Sequence, residues 1–117
     1  MAAPRVSSSK SFEVRTIATF DRQLKALAKK HSSLKHDYSK LLDELERDPF
    51  QGAALGNACY KRRMAIASKG KGKSGGARVI LHIVLRDHLV WLLAIYDKAE
   101  IDSIPAAEIK RLLKEIP

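Results

Sequence analysis

Cations are the residues of this sequence best suited to chemistry. Lys61 and Arg63 alternate along one stretch, Arg78 follows a glycine-rich segment, and between them Lys69, Lys71 and Lys73 alternate with Gly70 and Gly72. Ammonium and guanidinium groups gathered in one place match phosphate oxygens. Such groups also stabilise the negative charge that develops when a phosphoryl group is transferred. Between Pro49 and Arg86 the chain holds eight basic residues and no acid over 38 positions. The remainder has fourteen basic and thirteen acidic residues, so this one segment carries nearly all of the formal net charge of +9. A merely solubilising surface interleaves both signs. Clustered like charges repel unless a polyanion compensates them, so the excess predicts a phosphate-rich partner.

The elements that must position these cations follow from periodicity. Phe12, Val14 and Ile17 fit a short strand. Phe20, Leu24, Leu27 and Ala28 form one helical stripe, and Leu34, Tyr38, Leu41, Leu42 and Leu45 a second. The two helices read as a hairpin joined near His31, with Ser32 or Ser33 capping the second. Lys40 with Glu44 and Asp43 with Arg47 are expected pairs along its exposed side. Asp48-Pro49 ends it, because the residue before proline avoids the helical region. The acidic end of this helix, including Glu44 and Asp48, reads as solvated. Pro49 to Cys59, with Gly52, Gly56 and Asn57, reads as a loop.

Beyond it the period becomes two. Tyr60 to Ala67 is an expected strand with Tyr60, Met64 and Ile66 on one side and Lys61 and Arg63 on the other. Ala77 to Arg86 is a second strand, with Arg78, Ile80 and His82 on one face. Leu89 to Tyr96 is a third, apolar on both faces as in an interior strand. Ser103-Ile104-Pro105 opens a last helix with the stripe Ile109, Leu112, Leu113 and Ile116. The order β-α-α-β-β-β-α predicts the α+β class: an antiparallel sheet packed by an N-terminal helical hairpin and a C-terminal helix. Met1 to Ser11 reads as a flexible tail and residues 12–117 as one domain.

The connection Ser68 to Gly76 holds four of the six glycines. A two-residue turn closes a hairpin more simply, so a long polar loop here marks a binding element. Its Gly-Lys-Ser string is not a Walker A motif. Ala67 stands where that motif requires glycine, and a strand follows where it requires a helix. His31, His36, His82 and His88 show no metal-ligand spacing. The lone Cys59 excludes an internal disulfide, favours a reducing cytosol and reads as inert. Trp91, alternating with Leu93 and Ile95, reads as core. The longest apolar run, Leu89 to Tyr96, is too short to span a membrane, and the N-terminus has no secretory core.

Three strings, Tyr60-Lys61-Arg62-Arg63, Lys69 through Ile80, and Leu93 through Glu100, resemble the RelE/ParE superfamily of toxins from toxin–antitoxin modules, most nearly its RelE and HigB-like branch. The resemblance covers roughly residues 12–115, and the string from Lys69 to Ile80 is its most specific part. It implies a cytoplasmic, ribosome-dependent, metal- and cofactor-independent endoribonuclease that cuts messenger RNA by attack of a 2′-hydroxyl on the adjacent phosphate. By motif match it implies Lys61, Arg63, Arg78 and Tyr96 as catalytic residues, and Lys69, Lys71, Lys73 and Lys98 as RNA or phosphate contacts. Ala99 lies where some members carry an arginine, and the last helix lacks a tyrosine found in others. The implied partners are a cognate antitoxin, the ribosome and its message, with no membrane. The competing readings are a ParE-like inhibitor of DNA gyrase and a non-catalytic nucleic-acid-binding module. The lysine loop argues against the first, and the lack of an exposed aromatic pair argues against the second.

Overall fold

A computed structural model describes residues 11–117 of the chain. The tail expected over Met1 to Ser11 lies, but for Ser11, outside them. In chain order the elements are β1 (Glu13–Thr16), α1 (Ala18–Lys30), α2 (Leu34–Arg47), β2 (Ala53–Gly56), β3 (Cys59–Met64), β4 (Ala77–Val84), β5 (Leu89–Asp97) and α3 (Ala106–Leu113). The five strands form one sheet in the order β1-β5-β4-β3-β2. The fold is α+β, as the element order predicts. No helix among the described residues is long and apolar enough to cross a membrane.

Two features depart from the expected antiparallel sheet of four strands. First, Ala53–Gly56 is an edge strand and not a loop. Gly56, Asn57 and Ala58 all take positive φ, a tight reversal that lays β2 back on β3 with Ala53 opposite Lys61 and Ala54 opposite Tyr60. All four β2 residues are exposed, so no apolar alternation announces the strand. Second, β1 runs parallel to β5, with Val14 opposite Val90 and Thr16 opposite Leu92. Parallel partners need a long crossover, which everything from α1 to β4 supplies.

The helices form because their apolar stripes have somewhere to go. Phe20 and Leu27 of α1, and Leu34, Leu41 and Leu45 of α2, are buried in one cluster with Val79, Leu81, Leu92 and Ile95 of the sheet. Each such side chain contributes roughly 1.5–3 kcal/mol on burial. Asp48 ends α2 in extended geometry (φ −154°), as a residue preceding proline should. Past Leu92, β5 extends beyond its partner β1, and Gln23 Oε1 accepts the otherwise free Ile95 N–H at 3.0 Å.

Local expectations on α2 are revised by tertiary contacts. Ser33 sits at the N-cap, but its hydroxyl donates to Asp37 Oδ2 at 2.7 Å and does not cap the helix backbone. Glu44 pairs with Arg62 at 2.8 Å, not with Lys40, and Asp43 and Arg47 form no ion pair among the described residues. Arg62 alternates with Lys61 and Arg63, so it points to the helix-covered face, where its guanidinium is 6% exposed. A buried cation without a counter-charge is strongly destabilising, which is why Glu44 turns inward.

Candidate nucleic-acid site

Strand register gathers the cations. Arg63 stands opposite Arg78 across β3 and β4, and Arg78 stands opposite Tyr96 across β4 and β5. Residues directly opposite share a face. Lys61, two positions from Arg63, projects from the same side. This is the sheet face away from Arg62 and its partner helix. Lys61, Arg63 and Arg78 line one hollow of about 400 Å³ together with Gly52 and Ala53, and no carboxylate lines it. Neither Lys61 nor Arg63 forms an ion pair among the described residues.

Arg78 is held differently. Its residue is only 7% exposed, yet its guanidinium donates solely to carbonyls: Lys73 O at 3.0 Å, Ala77 O at 3.2 Å and Ser74 O at 3.2 Å. Carbonyls fix a cation without neutralising it. Arg78 therefore braces the loop that carries the lysines while keeping its charge beside the hollow.

Tyr96 is buried, and its hydroxyl has no hydrogen-bond partner. Burial raises the phenol above its ordinary pKa; Arg78 opposes this and Asp102 reinforces it. At neutral pH the group is a protonated donor. Lys98 lies close by: its N–H donates to Gly76 O at 3.0 Å and its ammonium pairs with Asp102 at 3.0 Å. Lys98 holds the Asp102 carboxyl below the usual carboxylate range, burial opposes, and Lys61 adds to the lowering.

The glycine-lysine loop is anchored at its base. Its first turn, Ala67–Lys69, is pinned to the junction of α1 and α2. Ala67 N–H donates to Asp37 Oδ2 at 3.1 Å and Ser68 N–H to Ser33 Oγ at 2.8 Å. Lys69 Nζ reaches Asp97 Oδ1 at 2.8 Å, and His31 Nε2 lies 3.2 Å from Asp97 Oδ2. Burial raises the Asp97 carboxyl, but bonds from Lys69, the Ala99 N–H and His31 outweigh it and leave the group below its ordinary value. At the exit, Gly76 crosses β3 so closely that a Cβ there would stand 2.2 Å from Met64 O. Lys71 and Lys73 remain exposed on the loop.

The structure thus brings Lys61, Arg63 and Arg78 to one hollow, with Lys73 beside Arg63 in a neighbouring one, while Tyr96 stands opposite Arg78 with its hydroxyl covered and outside the lining of the hollow. Lys69 is placed apart from this group. Expected at phosphate, it is committed to Asp97, which alternates with Tyr96 and so lies on the opposite, helix-covered face. Sequence reasoning assigned no role to Asp97 or Asp37, which lie on either side of the acid-free run, and no local pattern marks them as its counter-charges. His82 is half-buried on the site face with Nδ1 3.7 Å from Cys59 Sγ, and burial pushes that thiol up to about 11, so Cys59 is inert as expected. Trp91 is buried, with Arg15 5.9 Å from its ring centroid. Among the described residues no three His, Cys, Asp or Glu side chains gather to hold a metal ion.

Residues 9–116 match the family described as the RelE toxin of the RelE/RelB toxin–antitoxin system. The chain belongs to the RelE toxin family. Its fold is similar to that of the free E. coli toxin RelE carrying two arginine-to-alanine substitutions (TM-score 0.57, 16% identity, 92% of this chain and 99% of that one). It is similar to a chain of the RelBE2 toxin–antitoxin complex from Mycobacterium tuberculosis (TM-score 0.55, 17% identity, 76% and 93% covered). The isolated E. coli RelE toxin in its P21 crystal form is also similar (TM-score 0.51, 17% identity, 92% and 99% covered). In this RelE-family chain the hollow between β3, β4 and the β2 edge is therefore built on a toxin fold.

Proposed function

We propose that this RelE-family toxin is an endoribonuclease that inhibits translation by cutting messenger RNA on the ribosome. The observation that carries the reading is the hollow lined by Lys61, Arg63 and Arg78 with no carboxylate among its walls. In the reaction the 2′-hydroxyl oxygen of one nucleotide bonds to the adjacent phosphorus while the bond from phosphorus to the 5′-oxygen breaks. The 2′-hydroxyl proton is lost and the 5′-oxygen gains one, leaving a cyclic phosphate and a free 5′-hydroxyl. The phosphorane-like transition state carries more negative charge than the substrate. Fixed cations aimed at that charge lower the barrier, because they need not reorganise during the reaction.

Lys61 and Arg63 stabilise the attacked phosphate from β3, and Arg78 does so from β4 while bracing the loop. In this reading the neutral Tyr96 hydroxyl, covered in the free protein, is uncovered when RNA binds and donates to the same group. Lys71, Lys73 and Lys98 contact flanking phosphates. This chemistry draws its positive charge from side chains, with no metal or cofactor required. The family membership and the RelBE2 complex support a cognate antitoxin; in this reading it is an acidic or amphipathic segment covering the basic face or packing by the helices, and the toxin acts in the cytoplasm on the ribosome.

Mapping transcript 5′ ends after a brief pulse of expression tests this reading. Cuts within codons at the ribosomal A site, together with growth arrest, are expected. Intact messages under normal translation would overturn it, and loss of DNA supercoiling activity in that setting would point to gyrase instead.

A further inference from the structure

Next to the first hollow, between α2 and β3, lies a smaller one of about 70 Å³ lined by Lys40, Arg63 and Lys73, with Asp37, Glu44 and apolar groups completing its wall. Both carboxylates are already engaged. Glu44 accepts from buried Arg62 at 2.8 Å, and Asp37 Oδ2 accepts from Ser33 Oγ at 2.7 Å and Ala67 N–H at 3.1 Å. Lys40, whose expected helical partner was Glu44, is left exposed and without an ion pair among the described residues. Lys73 and Arg63 are likewise exposed and free of carboxylates. Three cations thus face one carboxylate that no cation neutralises. The hollow is far below the roughly 300 Å³ of a small-molecule pocket, so it suits a single small anionic group.

Arg63 lines both hollows. We infer that the α2–β3 cleft is a second phosphate subsite, in which Lys40 and Lys73 hold a backbone phosphate of the same RNA strand whose neighbouring linkage occupies the first hollow. A strand of regularly spaced phosphates meets cations continuously across Arg63. An acidic side chain of a protein would engage one hollow and leave the other's charge unmatched. The inference rests on the nuclease reading and deepens it: Lys40 is a strand-positioning residue on a helix that the reaction itself does not touch.

The test is binding of a single-stranded RNA carrying 2′-O-methyl groups, which cannot be cleaved, followed by fluorescence anisotropy over a range of salt concentrations with the full chain. Lys40→Ala is expected to weaken binding and to make the slope of log K against log salt shallower by about 0.7, one single-strand phosphate contact. Lys40→Arg should restore the wild-type slope. Lys29→Ala, which removes the same charge from an exposed position on α1, should leave the slope unchanged. Equal slopes for wild type, Lys40→Ala and Lys29→Ala would overturn the subsite. So would an unchanged RNA slope with weakened binding of polyglutamate, which would assign the cleft to an acidic protein. Since the probe is uncleavable, wild type that binds it with the expected slopes but cuts no unmodified message would sink the nuclease reading alone.

Discussion

Arg63 and Arg78 face each other across two strands, yet their surroundings differ and so should their variants. Arg63 is exposed and its side chain makes no hydrogen bond or ion pair among the described residues, so Arg63→Ala should leave the unfolding midpoint unchanged and lower cleavage on programmed ribosomes by about 10²–10³, the usual loss of one transition-state donor. Arg78 is buried and holds three loop carbonyls. Arg78→Ala should lose comparable activity and also about 1–3 kcal/mol of stability, because those carbonyls lose their donor. Measuring rate and denaturant midpoint for both variants separates the two roles. Tyr96 gives the opposite pattern. A buried hydroxyl without a partner costs the fold stability, so Tyr96→Phe should be as stable as wild type or more so. Its cleavage rate should nevertheless fall about 10²-fold if the hydroxyl donates to the reacting phosphate. A variant with undiminished rate removes Tyr96 from the site.

At the scale of elements, the lysine loop is only as well placed as its anchors. Asp97 at the end of β5 ties Lys69 and His31 together, and Asp37 and Ser33 hold the turn before the loop. Asp97→Asn should expose the loop, and trypsin should cut after Lys71 and Lys73 faster than in wild type, whatever the catalytic outcome. The carboxyl of Asp97 titrates lower in the folded than in the unfolded chain. Its contribution to stability is therefore fully present above the ordinary aspartate value near ~3.9 and is lost as pH falls through the lower native value. Acid titration of the unfolding midpoint should show this loss in wild type and a shallower one in Asp97→Asn. Arg62 with Glu44 performs the equivalent task between β3 and α2, fixing the strand from which Lys61 and Arg63 project.

Across the whole molecule, the charge is sorted by sheet face. Alternation along β3 sends Arg62 inward to a carboxylate and leaves Lys61 and Arg63 outward without one among the described residues, so the net charge of +9 becomes a directed field and not a diffuse one. Association with single-stranded RNA should therefore depend steeply on salt. Three to five phosphate contacts correspond to a slope of roughly −2 to −3.5 in log K against log salt. A slope near zero would mean that the cationic face contributes no binding.

Much of this was legible in the residues themselves. Stripes such as Phe20-Leu24-Leu27 and Leu34-Leu41-Leu45 determined both hairpin helices, and the two-residue period at Lys61 and Arg63 determined that they share a side, because helix and strand periodicities are local properties of the chain. The acid-free segment likewise announced a cluster of cations, which Lys61, Arg63 and Arg78 form. Tertiary structure alone decided the parallel pairing of β1 with β5, the exposed edge strand β2, and the fate of individual charges. Lys69 and Arg62 belong to the same basic run as Arg63, and no local rule distinguishes them. Which cation meets a carboxylate depends on Asp97 and Glu44 being carried to it from 28 and 18 positions away. Only the packing of helices on one sheet face determines that distance in space.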